Sequence, residues 1–338
     1  MRTTGRLAAA LIALGLAAGA TAPAQAEDRP TLTVYTYDSF VAEWGPGPKI
    51  EPLFEAECGC DLDFVGVEDG VALLSRLRLE GARSRADIVL GLDTNLVAEA
   101  RATGLLASHG LKVEAPMLPG GWDDATFVPY DWSYFAFVYD SEALKTPPAS
   151  LHALVEDSDA EILIEDPRTS TPGLGLLLWM KKVYGDGAAD AWEALRPRIV
   201  TVSTGWSEAY GLFKEGEAPM VLSYTTSPAY HIVAEGTERY KAAIFEEGHY
   251  MQVEVAAMLK GSDQPKLARQ FLSFLLSDAV QAILPTTNWM YPVIAPKDGL
   301  PEAFAAPLDP AKALVYSPDE VAEHRDGWIR EWLSAMSR

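Results

Sequence analysis

The chain has 338 residues, with 48 acidic against 27 basic side chains and a formal net charge of −21. Such acidity argues against nucleic acid, whose phosphates need basic partners, and against adhesion to an anionic membrane surface. It is compatible with a cationic small ligand without selecting one, since most of the charge is expected on a solvated surface.

Arg2 and Arg6 precede an apolar run from Leu7 to Ala20 and then Ala24-Gln25-Ala26, the pattern of a secretory signal cleaved after Ala26. The run is shorter and richer in Ala and Gly than the roughly 20 apolar residues that span a bilayer. The roughly 310 residues after it have the length of two domains of about 150 residues.

The first strand is predicted over Leu32–Tyr37 and ends in Tyr35-Thr36-Tyr37-Asp38. A helical segment, Glu51–Glu57, then leads into Cys58-Gly59-Cys60, which holds the only two cysteines. In an oxidising compartment these are expected to form a tight local disulfide, and with no histidine nearby they make a poor zinc site. After a strand-like Leu62–Val67, Asp69-Gly70 opens a helix over Val71–Glu80 with Leu73, Leu74 and Leu77 on one face. Asp69 reads either as that helix's cap or as a countercharge for a bound cation.

Further strands are expected at Asp87–Leu90, Glu161–Ile164, Ile199–Val202 and Met220–Tyr224, and further helices at Gly173–Tyr184 and Leu267–Leu276. The alternation implies an α/β fold with mostly parallel sheets. Two long extended stretches, Phe127–Tyr139 and Gln252–Leu259, read as crossings between two lobes, with a hinge and an interlobe ligand cleft. The expected division is lobe 1 over 27–128 plus 251–290 and lobe 2 over 129–250 plus 291–338.

Several clusters fall at strand ends and loops, where open α/β sheets bind ligands. In Thr169-Ser170-Thr171-Pro172-Gly173, Thr171 is the expected N-cap and Pro172 the first helical residue, an ordinary cap or an anion site with the hydroxyls of Ser170 and Thr171. Gly173-Leu174-Gly175 is no dinucleotide fingerprint, because Leu178 stands where its third glycine belongs. Trp206 opens another helix with an indole N–H in need of a partner. Tyr224 and Tyr230 flank Thr225-Thr226-Ser227-Pro228, and Asn288-Trp289-Met290-Tyr291-Pro292 forms a third aromatic cluster. Aromatic faces attract a delocalised cation, by roughly 0.5–2 kcal/mol per contact.

Tyr35–Phe40, Trp44-Gly45-Pro46-Gly47-Pro48, Asp166–Gly175, Gly205–Gly211 and Asn288–Pro292 together resemble the bacterial periplasmic thiamine-binding proteins, and the likeness runs from about Leu32 to the carboxyl terminus. The resemblance implies a type II periplasmic binding fold and a periplasmic, monomeric, non-enzymatic protein with neither cofactor nor metal. Such a protein would hand thiamine, its monophosphate or its diphosphate to the permease of an ATP-driven ABC importer. By motif, the family's ligand positions fall on Tyr37, Trp44, Asp69, Ser170, Thr171, Trp206, Tyr224, Tyr230, Asn288 and Trp289. Tyr230 and Trp289 would sandwich the aminopyrimidine and Asp69 would balance the thiazolium. Ser170, Thr171, Trp206 and Tyr224 would donate to phosphate. Two rivals remain at this stage. One is a thiaminase-like enzyme with Cys58 or Cys60 as nucleophile, and the other is a ferric-iron carrier of the same fold using tyrosines.

Overall fold

The computed structural model describes residues 29–304 and 308–337; the expected signal segment lies outside them. Eleven strands are present among these residues: β1 (Thr31–Tyr37), β2 (Asp61–Val67), β3 (Ile88–Asp93), β4 (Val128–Asp140), β5 (Ile162–Glu165), β6 (Ile199–Ser203), β7 (Met220–Tyr224), β8 (Tyr240–Ala242), β9 (His249–Met258), β10 (Tyr291–Pro292) and β11 (Ala313–Leu314). Their main order is β2-β1-β3-β9-β4-β7-β5-β6. The two flanks are parallel, as the strand–helix alternation predicts: β1 with β2 and β3, and β5 with β6 and β7. At the centre, β9 and β4 run antiparallel to their neighbours, because these are the strands that carry the chain from one flank to the other.

The long strand β4 pairs with β9 along Val128–Tyr134 and with β7 along Phe135–Tyr139. One strand thereby joins both halves of the sheet, and the change of neighbour falls between Tyr134 and Phe135. The stretch read from sequence as a crossing is this strand, displaced by one residue.

Each half is covered by helices whose apolar stripes the sequence foretells. Against the first half lie helices Gly47–Cys58 and Pro265–Leu275, with Phe54 between Phe271 and Phe274 at ring-centroid distances of 5.0 and 5.3 Å. Burying each such ring contributes about 1.5–3 kcal/mol. The helix Thr171–Tyr184 is apolar on every side, and Leu174, Leu176, Leu177, Leu178, Trp179 and Met180 are all buried, as expected of a core helix. At Gly175 a side chain has no room, since a Cβ there would lie 2.1 Å from the Phe135 ring.

The helix begins one residue earlier than its sequence pattern suggests. Ser170, not Thr171, is the N-cap and accepts from the Gly173 amide, which places Thr171 and Pro172 inside the first turn. Proline fits there because the first-turn amides need no intrahelical partner. Cys58 and Cys60 are joined in the expected local disulfide. No single helix among the described residues is long and apolar enough to cross a membrane.

Candidate functional site

A cavity of about 330 Å³ lies where the two halves of the sheet meet, within the size range of small-molecule sites. The carboxyl ends of β1 and β7 bring Tyr37 and Tyr224 to it. The loop after β2 brings Asp69, the start of helix Trp206–Glu215 brings Trp206, and helix Pro228–Ala234 brings Tyr230. Trp44, Asn288 and Trp289 complete the set, so eight of the ten residues singled out in the sequence line one cavity. Ser170 and Thr171 do not line it; both are buried behind Asp69.

Asp69 ties the two sides of the cleft together. Its Oδ1 accepts from the Gly70 amide at 2.7 Å, as the cap of helix Gly70–Glu80, while Oδ2 accepts from the Ser170 hydroxyl at 2.9 Å and the Trp206 amide at 3.4 Å. Capping and facing the ligand space are thus one role. Burial raises the pKa of Asp69, and the hydrogen bonds from Gly70 and Ser170 pull it back. The Ser207 hydroxyl donates to Asp38 Oδ1 across the same cleft at 3.0 Å.

The floor holds an acidic cluster that the sequence reading did not single out. Glu254 of β9 lines the cavity and faces Asp131 of β4 in register. Its Oε2 accepts from Tyr37 at 2.9 Å, Tyr130 at 3.0 Å and Asn288 Nδ2 at 3.2 Å. Asn288 Nδ2 also lies 2.6 Å from Asp131 Oδ2. Burial raises the pKa of both acids, and for Asp131 the charge of Glu254 raises it further. Burial, then Glu254, likewise pushes Tyr37 well above the ordinary phenol value. The available signal was a charged residue inside an otherwise apolar strand, as in Val253-Glu254-Val255; buried carboxylates of this kind mark functional sites.

The walls are aromatic and braced from behind. Trp206 stacks on Tyr210 at 4.9 Å and 26° and donates its indole N–H to Ser223 at 2.8 Å, which supplies the partner its sequence position called for. The Tyr210 hydroxyl lies 2.9 Å from His231 Nε2, and His231 Nδ1 lies 2.6 Å from Glu235. Burial lowers the pKa of His231 against the pull of Glu235, which favours the neutral ring, and in that form Nδ1–H can donate to the carboxylate while Nε2 accepts from Tyr210. Lys214, the one basic side chain among the cavity-lining residues described, is engaged by the Tyr230 hydroxyl at 2.9 Å and Glu235 at 2.8 Å. Asp38, Glu68, Asp69 and Glu254 also line the cavity, so its field favours a cation.

Trp289 has φ 57°, the one non-glycine residue in the left-handed region among those described. For a bulky side chain this backbone costs about 1–3 kcal/mol, and strained residues of this kind cluster at ligand clamps and active sites. Its ring meets Tyr230 edge-on, with centroids 5.4 Å apart and planes at 73°. The expected sandwich is therefore not preformed: a ring between two others needs about 7 Å, twice the contact distance, so one of the two must swing aside for the other to stack on a ligand. Trp44 stands at the rim, half exposed and 6.2 Å from Trp206.

The cysteine-nucleophile alternative fails on geometry, since both thiols are consumed in the disulfide and neither cysteine lines the cavity. Tyr37, Tyr224 and Tyr230 do reach the cavity, beside indoles, an amide and the carboxylates of Asp69 and Glu254, but among the described residues no group of three or more His, Cys, Asp or Glu side chains is placed to hold a metal ion.

A family model described as bacterial extracellular solute-binding protein matches residues 31–282. The thiamine-binding periplasmic protein of Escherichia coli strain K12 is 58% identical over 311 residues, covering 92% of this chain and 94% of that protein. A solved periplasmic thiamin binding protein superposes with a TM-score of 0.89 at 57% identity, over 94% of this chain and 99% of that one. Iron-bound HitA from Pseudomonas aeruginosa, at 24% identity and a TM-score of 0.69 over 91% of this chain and 98% of that one, shares the fold alone.

Proposed function

Because the chain belongs to the bacterial extracellular solute-binding proteins and groups with their thiamine-binding periplasmic members, we infer that it captures thiamine in the periplasm for an ABC importer. The observation that carries this reading is the cavity itself: an acidic lining of Glu254 and Asp69, with Asp131 buried beside Glu254, beneath tryptophan and tyrosine faces. That pairing suits a flat, delocalised cation, held by ring faces and balanced by carboxylate. The protein's part is binding, not chemistry.

Capture proceeds by hinge closure. The lobes, taken as 27–128 plus 251–290 and 129–250 plus 291–338, are joined by β4 and β9, and this supports placing the hinge in those strands. Ligand contacts on both sides of the cleft favour the closed form, and only that differential contact can do so. The ten residues from Tyr37 to Trp289 are the assigned ligand set, with Ser170 and Thr171 acting from behind Asp69. Delivery is to the membrane permease of the importer, with the protein acting as a monomer after cleavage at Ala26. Titrating ligand-stripped protein with thiamine while following tryptophan emission tests the reading. Saturable quenching at submicromolar ligand is expected, and an unchanged spectrum refutes it. Iron is the weaker alternative, and a charge-transfer colour on adding ferric ion would favour it.

A further inference from the structure

Two of the aromatic faces in the cavity, those of Trp206 and Tyr230, lead by hydrogen bonds to one carboxylate that does not line it, that of Glu235. From Trp206 the path is long. The indole N–H donates to Ser223 at 2.8 Å, Ser223 and Ser227 lie 2.8 Å apart, and the Ser227 hydroxyl bonds Tyr210. The Tyr210 hydroxyl lies 2.9 Å from His231 Nε2, and His231 Nδ1 lies 2.6 Å from Glu235. An indole N–H can only donate and a carboxylate can only accept, so with a neutral imidazole the two ends fix the sense of every bond between them. Tyr210 also stacks on Trp206 at 4.9 Å and 26°, which holds the indole by its face as well as its edge. From Tyr230 the path is short: its hydroxyl bonds Glu235, and Lys214 Nζ donates to Tyr230 at 2.9 Å and to Glu235 at 2.8 Å.

Little of this serves stability. Glu235 is the C-cap of helix Pro228–Ala234, where an acidic side chain opposes the helix dipole. Its pair with Lys214 is open to solvent, the two side chains being 29% and 39% exposed, and such pairs contribute at most about 1 kcal/mol. Burial by itself would raise the pKa of Glu235, yet hydrogen bonds from Lys214, His231 and Tyr230 hold it down at about 2.

Resting on the thiamine reading, we propose that Glu235 is a positioning residue of the binding site: it fixes Trp206 and Tyr230 for a flat cation and, by pairing with Lys214, cancels the positive charge of the one basic side chain among the described cavity-lining residues.

The two tasks separate by chemistry. A glutamine at this position still offers an oxygen to His231 but no charge to Lys214, whose ammonium then meets an incoming cation unbalanced. An alanine offers neither, so Tyr210 and Trp206 lose their fixed order as well. With Tyr230 tethered, Trp289 is the ring that gives way when a ligand stacks.

Calorimetric titration of the ligand-stripped protein with thiamine, at about 0.05 M and about 0.5 M salt, tests this on Glu235→Gln and Glu235→Ala. At low salt Glu235→Gln should bind thiamine on the order of tenfold more weakly than wild type. Most of that loss should disappear at high salt, and it should be absent when Glu235→Gln is compared with its parent in a Lys214→Met background. Glu235→Ala should lose a further several-fold that salt does not restore, and this extra loss should vanish in a Tyr210→Phe background, where the path to Trp206 is already cut. A brace serving the fold alone would lower the melting temperature and leave the affinities and their salt dependence as in wild type. That result, or a loss that neither salt, Lys214→Met nor Tyr210→Phe alters, overturns this inference alone. Absence of thiamine binding by the wild type refutes the pocket's reading and this inference together.

Discussion

Asp131 and Glu254 face each other in register across β4 and β9, two buried carboxyls of which Glu254 lines the cavity. They are not equivalent. Glu254 accepts from Tyr37, Tyr130 and Asn288, whereas Asp131 accepts from Asn288 alone and leaves its Oδ1 unpartnered. The charge therefore rests on Glu254 and the proton on Asp131, whose pKa burial and Glu254 raise well above the usual carboxyl value. Raising a folded-state carboxyl pKa means that the folded protein holds a proton the unfolded chain releases near pH 4. Stability from this group is present below about pH 4 and is lost as pH rises through the folded value. Asp131→Asn mimics the neutral acid, so the ligand-stripped variant should exceed the wild type by about 1–3 kcal/mol at pH 8. That gap should close toward pH 4. Urea midpoints at the two pH values measure it, and a gap independent of pH contradicts the assignment.

Glu254→Gln removes the floor's charge while keeping its shape. Losing a charged partner should weaken thiamine binding by about 1.5–3 kcal/mol, on the order of 10- to 100-fold in Kd. Stability of the unliganded protein should hold or rise, because a costly buried charge is gone. Equal affinity in the variant would remove Glu254 from the site.

Trp289 separates ring from backbone. Trp289→Ala and Trp289→Gly both lose the aromatic face and should lower thiamine affinity by about 1–3 kcal/mol. Glycine adopts the left-handed φ of 57° without penalty and alanine does not, so the glycine variant should be the more stable of the two by about 1 kcal/mol. Thermal unfolding of the pair reads this directly; a more stable alanine variant would mean the backbone relaxes.

The disulfide closes a very short loop between Cys58 and Cys60, so its effect on the unfolded chain is small. Reduction should cost about 1–2 kcal/mol in stability and leave thiamine affinity and the thiamine itself intact. Degradation of thiamine by the reduced protein would revive the cysteine-nucleophile reading.

Much of this architecture could be read from sequence, because periodicity reports which face is buried. The leucines of Val71–Glu80 and the apolar run of Gly173–Tyr184 could not be placed otherwise. The family motifs also drew eight dispersed residues to one cavity. What could not be read depends on pairing across the chain. Asp131 and Glu254 are 123 positions apart in sequence and meet only through strand register. Ser170 looked like a free donor until the fold brought Asp69 against it. The N-cap fell on Ser170 instead of Thr171 because its side chain reaches the Gly173 amide, a choice that local sequence leaves nearly balanced. The edge-on meeting of Tyr230 and Trp289 likewise depends on a backbone turn that no propensity announces.

Thiamine capture itself is tested most directly by isothermal calorimetry of the unfolded, ligand-stripped and refolded protein with thiamine. An acidic floor under aromatic walls predicts one site per chain, submicromolar affinity and a negative heat-capacity change as the rings are buried. Absence of binding in protein shown to be refolded would contradict the account at its centre.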